Sequence, residues 1–233
     1  RHDVTRDPDL RSRVEAAGRA DRLEVEISEL ETRIEGKHRS LGQEFDRVLR
    51  LLDRFGYAVV DEWRLTDRGR LLSRVFHESD LLVAETITNG LLDGLGPADL
   101  AAIVACIVYE HRSAEPPPAP WFSSKEVRSR WQRLDAMSTD LRAAERSFSL
   151  PEHRAPDPTF AATAHAWVAG EGFAEIVAEE DLTGGDFVRN VKQLIDLLRQ
   201  VATVADDPAT RAAADEAVTA AFRGVVADSG VIG

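Results

Sequence analysis

Between Ala98 and Arg112 the sequence runs ADLAAIVACIVYEHR, and every position from Leu100 to Val108 is apolar. A helix that is apolar on all sides is stable only when other helices surround it. Pro97 suits the first turn of such a helix, and Gly94 and Gly96 break the segment before it. This one stretch therefore demands a helical bundle, and the flanking sequence supplies the partners. Ser79 is a candidate cap for a helix carrying Leu81, Leu82, Ile87 and Leu91. Ser123-x-x-Glu126 reads as a capping box before a helix with Val127, Trp131, Leu134 and Leu141 on one face. Asp157-Pro158 opens a short helix with Phe160, Ala164 and Trp167, and Gly170 and Gly172 end it. Over 182–202, with Thr183 and Asp186 as candidate caps, Phe187, Val191, Leu194, Ile195, Leu198 and Val201 form a buried face. Asp207-Pro208 starts an Ala-rich last helix that is expected to end near Gly230. The proline-rich SAEPPPAP (113–120) and SLPEHRAPDP (149–158) read as connecting loops. The fold class expected is mainly α, with about seven helices after residue 76 in an all-α bundle.

The N-terminal part has a different pattern. Leu23, Ile27, Leu30 and Ile34, then Leu41, Phe45, Val48 and Leu52, repeat at heptad-like spacing with charged flanks. That predicts a long helix, or two joined near Gly36 or Gly42, packing against another element. Residues 1–44 are thus expected to be helical. Gly56 reads as a C-cap, and Tyr57–Leu65 as a short hairpin or an irregular loop. Helix, hairpin and then TDRGR is how a winged-helix module ends.

Several kinds of chemistry have no support in the sequence. There is no G-x-x-x-x-G-K-[ST] loop for nucleotide phosphates and no G-x-S-x-G serine context. The one cysteine, Cys106, excludes an internal disulfide and a thiolate zinc site, and it reads as a small buried hydrophobe. No two of the six histidines are spaced for a helical metal site. The sequence therefore offers no catalytic residue and no metal ligand set. No apolar run is long enough for a membrane span, and a cytoplasmic location is expected. The net charge of −12 is unevenly placed. Residues 1–75 balance 16 basic against 16 acidic residues, and the remaining 13 basic and 25 acidic residues follow. A polyanion could then be held only by a local patch or a lined channel.

ESDLLVAETITNGLLDGLGPADLAAIVACIVYEHR (78–112) resembles the core of the DSHCT domain, the C-terminal domain of large DExH-box RNA helicases. These include the superkiller and exosome-associated helicases and a HelY-like bacterial branch. The resemblance rests on Ser79-Asp80-Leu81-Leu82 with Glu85, on Asn89-Gly90, on Leu95-Gly96-Pro97 and on Tyr109-Glu110. GGDFVRNVKQLIDLLRQV (184–201) is similar to the second hallmark of the family, a G-[SD]-x-[IV]-R-x-x-[KR] helix. The family resemblance implies an accessory domain that guides single-stranded RNA past motor domains lying upstream, with 1–44 as a helical stalk-like segment, 45–75 completing a winged helix and 76–233 forming the bundle. ATP and Mg²⁺ would serve those motor domains, and this segment needs no cofactor. It further implies RNA contacts at Arg189 and Lys192, with Gln193 where eukaryotic members carry an Arg, and at Glu110. Arg68 and Arg70, with Arg74, are expected to face neighbouring segments or RNA. Trp63, Trp121, Trp131 and Trp167 are candidate stacking surfaces, although core packing accounts better for Trp131 and Trp167. Partners expected are single-stranded RNA, the helicase motor and an RNA-decay nuclease. Two other readings stay open. One is a winged-helix transcription regulator with a helical dimerisation domain, although its candidate recognition helix GQEFDRVLRLLDRF has balanced charge. The other is a protein-interaction scaffold for RNA decay.

Overall fold

The computed structural model describes residues 10–112, 116–179 and 183–228. The chain divides into two compact units, Arg1–Leu49 and Arg50–Gly233. Helix α1 (Leu10–Arg54) is a single helix of 45 residues and passes through Gly36 and Gly42 without a break. Leu23, Ile27, Leu41, Phe45 and Val48 of its apolar seam are exposed. The side chains of Leu30 and Ile34 lie outside the described residues.

In the second unit α1 ends on Gly56, whose φ of +75° is a left-handed conformation that glycine adopts without strain. The Tyr57 amide then donates back to the Leu52 carbonyl at 2.8 Å, closing the helix end. The expected hairpin is present as two short antiparallel strands, β1 (Ala58–Val59) and β2 (Arg64–Leu65), with Ala58 opposite Leu65. Thr66 caps α2 (Asp67–Leu72) by accepting from the Gly69 amide. Next come α3 (Asp80–Thr88), α4 (Pro97–Val108), α5 (Lys125–Ser147), α6 (Ala161–Ala169), α7 (Phe173–Glu179), α8 (Gly184–Val204), α9 (Pro208–Ala221) and α10 (Gly224–Asp228). Among the described residues, eight α-helices thus follow residue 76, and the fold is mainly α.

The centre of the bundle is α4, as its composition requires. Every residue from Leu100 to Ile107 is buried, and α5, α6, α8 and α9 pack against it. Three local expectations are corrected. Ser79 makes no capping hydrogen bond, and the Leu81 amide is taken by the Asp80 carboxylate instead. The cap of α5 is Ser124, which accepts from the Val127 amide, because the Ser123 hydroxyl is drawn to Asp99 on α4. The last helix is broken into α9 and α10: Phe222 leaves helical geometry and Gly224 has φ +47°. The Arg223 guanidinium lies over the Trp167 ring and donates to the Trp167 and Glu171 carbonyls. Gly230 lies outside the described residues.

Hairpin, α2 and α3 are joined through a buried polar cluster. The Tyr57 hydroxyl and the Arg68 guanidinium both donate to Glu85 at 2.8 Å. Arg68 also donates to Thr88 and to the Phe55 carbonyl, and the Asn89 amide donates to Glu85. Burial, first of all, pushes the Tyr57 phenol above its usual range. Gly69 lets α2 approach this cluster, since a Cβ there would meet the Tyr57 carbonyl oxygen at 2.0 Å. Backbone cannot yield as a flexible side chain can. Gly69→Ala is therefore expected to destabilise the protein by about 1–3 kcal/mol in urea unfolding. An unchanged unfolding midpoint would contradict this account of the close approach.

Candidate nucleic-acid interface

A surface groove of about 620 Å³ runs between the segment Phe76–Glu78, the end of α4 and one face of α8. Its position follows from the burial of α8. Phe187, on the first turns, sits in an aromatic cluster with its ring centroid 5.1 Å from Trp167, 5.2 Å from Phe173 and 6.4 Å from Phe160. Val191, Leu194, Ile195, Leu198 and Val201 continue the buried face. Arg189, Gln193, Asp196 and Gln200, spaced four, three and four apart, then form one stripe facing outward, and all four line the groove.

The structure brings Arg189, Gln193 and Glu110 together at this groove. Lys192 is on α8 just beyond the lining arc and is not among the groove residues. Arg68 and Arg70 are not groove residues either. Arg68 is engaged with Glu85, Thr88 and Tyr57, as described above, and Arg70 pairs with Asp67 on an exposed turn. Arg74 donates to the Thr203 carbonyl at 3.3 Å. Of the four tryptophans, Trp167 is buried, Trp131 stacks on Phe122, Trp121 meets His165 edge-on and Trp63 is exposed at the hairpin turn; none lines the groove.

Arg154, from a segment that reads only as a loop, is a groove residue that sequence reasoning missed. Its guanidinium donates to the Ile107, Val108 and Tyr109 carbonyls, and its Nε donates to Glu78 at 3.0 Å. The Asp157 amide donates to the Cys106 carbonyl at 2.7 Å, and the Asp157 carboxylate accepts from the His111 amide. These contacts satisfy the carbonyls that a buried helix end leaves without partners. The available signal was indirect. A helix as apolar as α4 carries no polar side chain near its end to do this, so donors must come from elsewhere.

The cations at the groove are balanced by carboxylates. Arg112 pairs with Glu110 at 2.7 Å, Arg154 with Glu78 at 3.0 Å, and Arg189 with Asp186 at 2.8 Å. Neutral hydrogen-bonding groups, Asn190, Gln193 and Gln200, lie along the same wall. The groove is thus polar without being strongly basic.

Elsewhere, Ser138, His153 and Glu145 form a hydrogen-bonded chain, with 2.9 Å from Ser138 Oγ to His153 Nε2 and 2.9 Å from Nδ1 to Glu145. The order of groups is that of a hydrolase triad, but Ser138 is only 1% exposed. A nucleophile closed off in this way meets no substrate, and the chain ties the loop after α5 to that helix. Cys106 is buried in α4, and burial raises its thiol above the usual range. Among the described residues, no cluster of three or more His, Cys, Asp or Glu side chains could hold a metal ion. Nor is any described helix long and apolar enough to cross a membrane.

Fold and groove together define a helical module with a polar surface groove. The chain belongs to the DSHCT (NUC185) domain family, whose match covers residues 62–229. It is similar to the probable helicase HelY of Mycobacterium tuberculosis (strain ATCC 25618 / H37Rv), at 36% identity over 97% of this chain and 26% of that protein. The ATP-dependent RNA helicase mtr4 of Schizosaccharomyces pombe is 26% identical over 77% of this chain and 16% of its own length. The human exosome RNA helicase MTR4 is 26% identical over 67% of this chain and 15% of its own length. The chain therefore spans only about a quarter or less of the helicases it matches.

His77, in the groove wall, accepts a hydrogen bond from the Ser79 amide at 3.0 Å. Burial, more than the nearby Arg154, holds its pKa below the ordinary value of 6.5, against an opposing pull from Glu78. Above that value His77 is neutral in both the folded and the unfolded chain. As pH falls through it the unfolded chain takes up the proton first, so stability declines. Tm is expected to drop between pH 7.5 and 5.5, and His77→Asn is expected to narrow that drop. An equal drop in the variant would refute the assignment.

Proposed function

We propose that this chain is the accessory DSHCT region of an ATP-dependent RNA helicase and that single-stranded RNA passes along the groove beside α8. The reading rests chiefly on one observation: Arg189 and Gln193, on successive turns of α8, share a groove with Glu110 and Arg112, which follow α4. Names borne by the relatives, RNA helicases in several cases, favour the same reading. In it, residues 45–75 complete a winged helix with upstream segments, and the bundle forms one side of the RNA path in the cytoplasm. The hydrolysis of ATP, with its Mg²⁺, belongs to motor segments of the parent protein.

The roles divide by chemistry. Arg189 meets a phosphate or a base edge with its fork of donors. Gln193, Asn190 and Glu110 offer donors and acceptors to bases that are not paired. Lys192, on the shoulder of α8, adds a point charge near the backbone. Because each groove cation already faces a carboxylate, affinity for this chain alone is modest and only moderately dependent on salt.

Fluorescence anisotropy with short single-stranded RNA and with duplex DNA, across a salt series, tests the reading. Salt-sensitive binding is expected for single strands and weaker binding for duplex DNA. Replacing Arg189 and Lys192 together with Ala is expected to weaken RNA binding and to lower the slope of log K against log salt by up to about 1.4, near 0.7 per phosphate contact. An unchanged slope would remove both residues from the RNA path, and tighter binding to duplex DNA would favour a transcription regulator instead.

A further inference from the structure

Phe76 is 78% exposed and lines the groove. A single exposed aromatic is ordinary on a protein surface. Phe76 is set apart by how firmly its backbone is held. Its amide donates to Gln200 Oε1 at 2.6 Å, and Gln200 Nε2 donates back to its carbonyl at 3.3 Å. On one side Arg74 is tied to the Thr203 carbonyl, and on the other Glu78 is tied to Arg154. Between them, His77 accepts from the Ser79 amide. Phe76, with its side chain exposed, therefore lines the groove from a backbone fastened to α8 at Gln200. That point is seven residues, about 10 Å, along the helix from Gln193.

We propose that Phe76 is a stacking platform for one unpaired base of a single-stranded RNA lying in the groove. This inference rests on the RNA path proposed above and adds a residue to it. A ring whose backbone is fixed beforehand gives up little further freedom when a base stacks on it. Every base has a π-face, so such a contact tolerates any sequence, as a strand-guiding surface requires. Amide and carboxylate groups of Asn190, Gln193 and Asp196 on the adjoining wall can meet the edges of the strand. The contact carries no charge and acts separately from Arg189.

The test compares the 233-residue chain with its Phe76→Ala and Phe76→Trp variants. Each is titrated with an oligouridylate and with an oligomer of the same length made of abasic ribose phosphates. The wild type is expected to prefer the oligouridylate. Phe76→Ala is expected to bind it at least about fivefold more weakly, to lose much of that preference and to keep the wild-type salt slope. Phe76→Trp is expected to restore both affinity and preference. Equal affinity and preference in wild type and Phe76→Ala would overturn the stacking role. If RNA binding still responded to Arg189→Ala, the path itself would stand, and Phe76 would be left to pack against a protein surface. A loss in Phe76→Ala that Trp does not restore would also overturn it. Failure of the wild type to bind either oligomer would overturn the path and the platform together. Since the side chain is exposed, all variants are expected to share the wild-type Tm.

Discussion

The carboxyl end of α4 is the constraint on which the rest of the bundle depends. A helix that is buried on all sides keeps its inner carbonyls from water, and each one left without a donor is costly. Arg154 and the Asp157 amide satisfy Cys106, Ile107, Val108 and Tyr109 together. Hydrogen bonds from a charged donor contribute about 1.5–3 kcal/mol each, and here they also anchor a long loop. His153 and Asp157 in that loop reach Glu145 and the His111 amide. One guanidinium thus fixes the end of the central helix, the course of the 149–157 loop and one wall of the groove.

This arrangement bears on the proposed RNA path. Arg154 lies in the groove, but its donors are committed to carbonyls and to Glu78. Of the groove arginines, Arg112 and Arg189 each make a pair with a partly exposed carboxylate, and such pairs contribute little to stability. They can exchange partners with a phosphate at low cost. Structural cations and those assigned to the proposed path therefore sit side by side, and the partners they hold tell them apart. The same division applies to Arg68, which is held within the Tyr57–Glu85 cluster, and so joins hairpin to bundle.

The amphipathic pattern of α8 made much of the site legible. Its apolar positions set which side is buried, so Arg189 and Gln193 had to face out, and the resemblance pointed to them and to Glu110. Lys192 was legible as a polar position, yet the groove turns toward Asn190 and Leu197 and leaves it at the shoulder. That turn is set by the aromatic cluster around Phe187, whose members come from α6, α7 and the turn before α6. The cap of α5 was misplaced by one residue for a similar reason. Ser123 and Ser124 are alike in sequence, and only Asp99, distant along the chain, draws one of them away.

By itself the sequence determined that the chain is a helical bundle around residues 97–108, that a heptad-spaced helix precedes it, and which positions of 184–204 are buried. Those features follow from periodicity, glycine and proline placement and the absence of polar groups, all of which act over a few residues. That the heptad-spaced helix is unbroken and that a hairpin follows it were decided by the structure. Tertiary structure alone decided that Phe76 stands exposed beside α8, that Arg154 caps α4 and that Arg68 turns inward. Each of these depends on a contact between residues far apart in sequence: Phe76 with Gln200, Arg154 with Ile107 and Arg68 with Glu85. Hydrogen-bond donors and acceptors look the same in a sequence whether they meet water, a helix end or a ligand. Only the packing of apolar faces brings particular ones together.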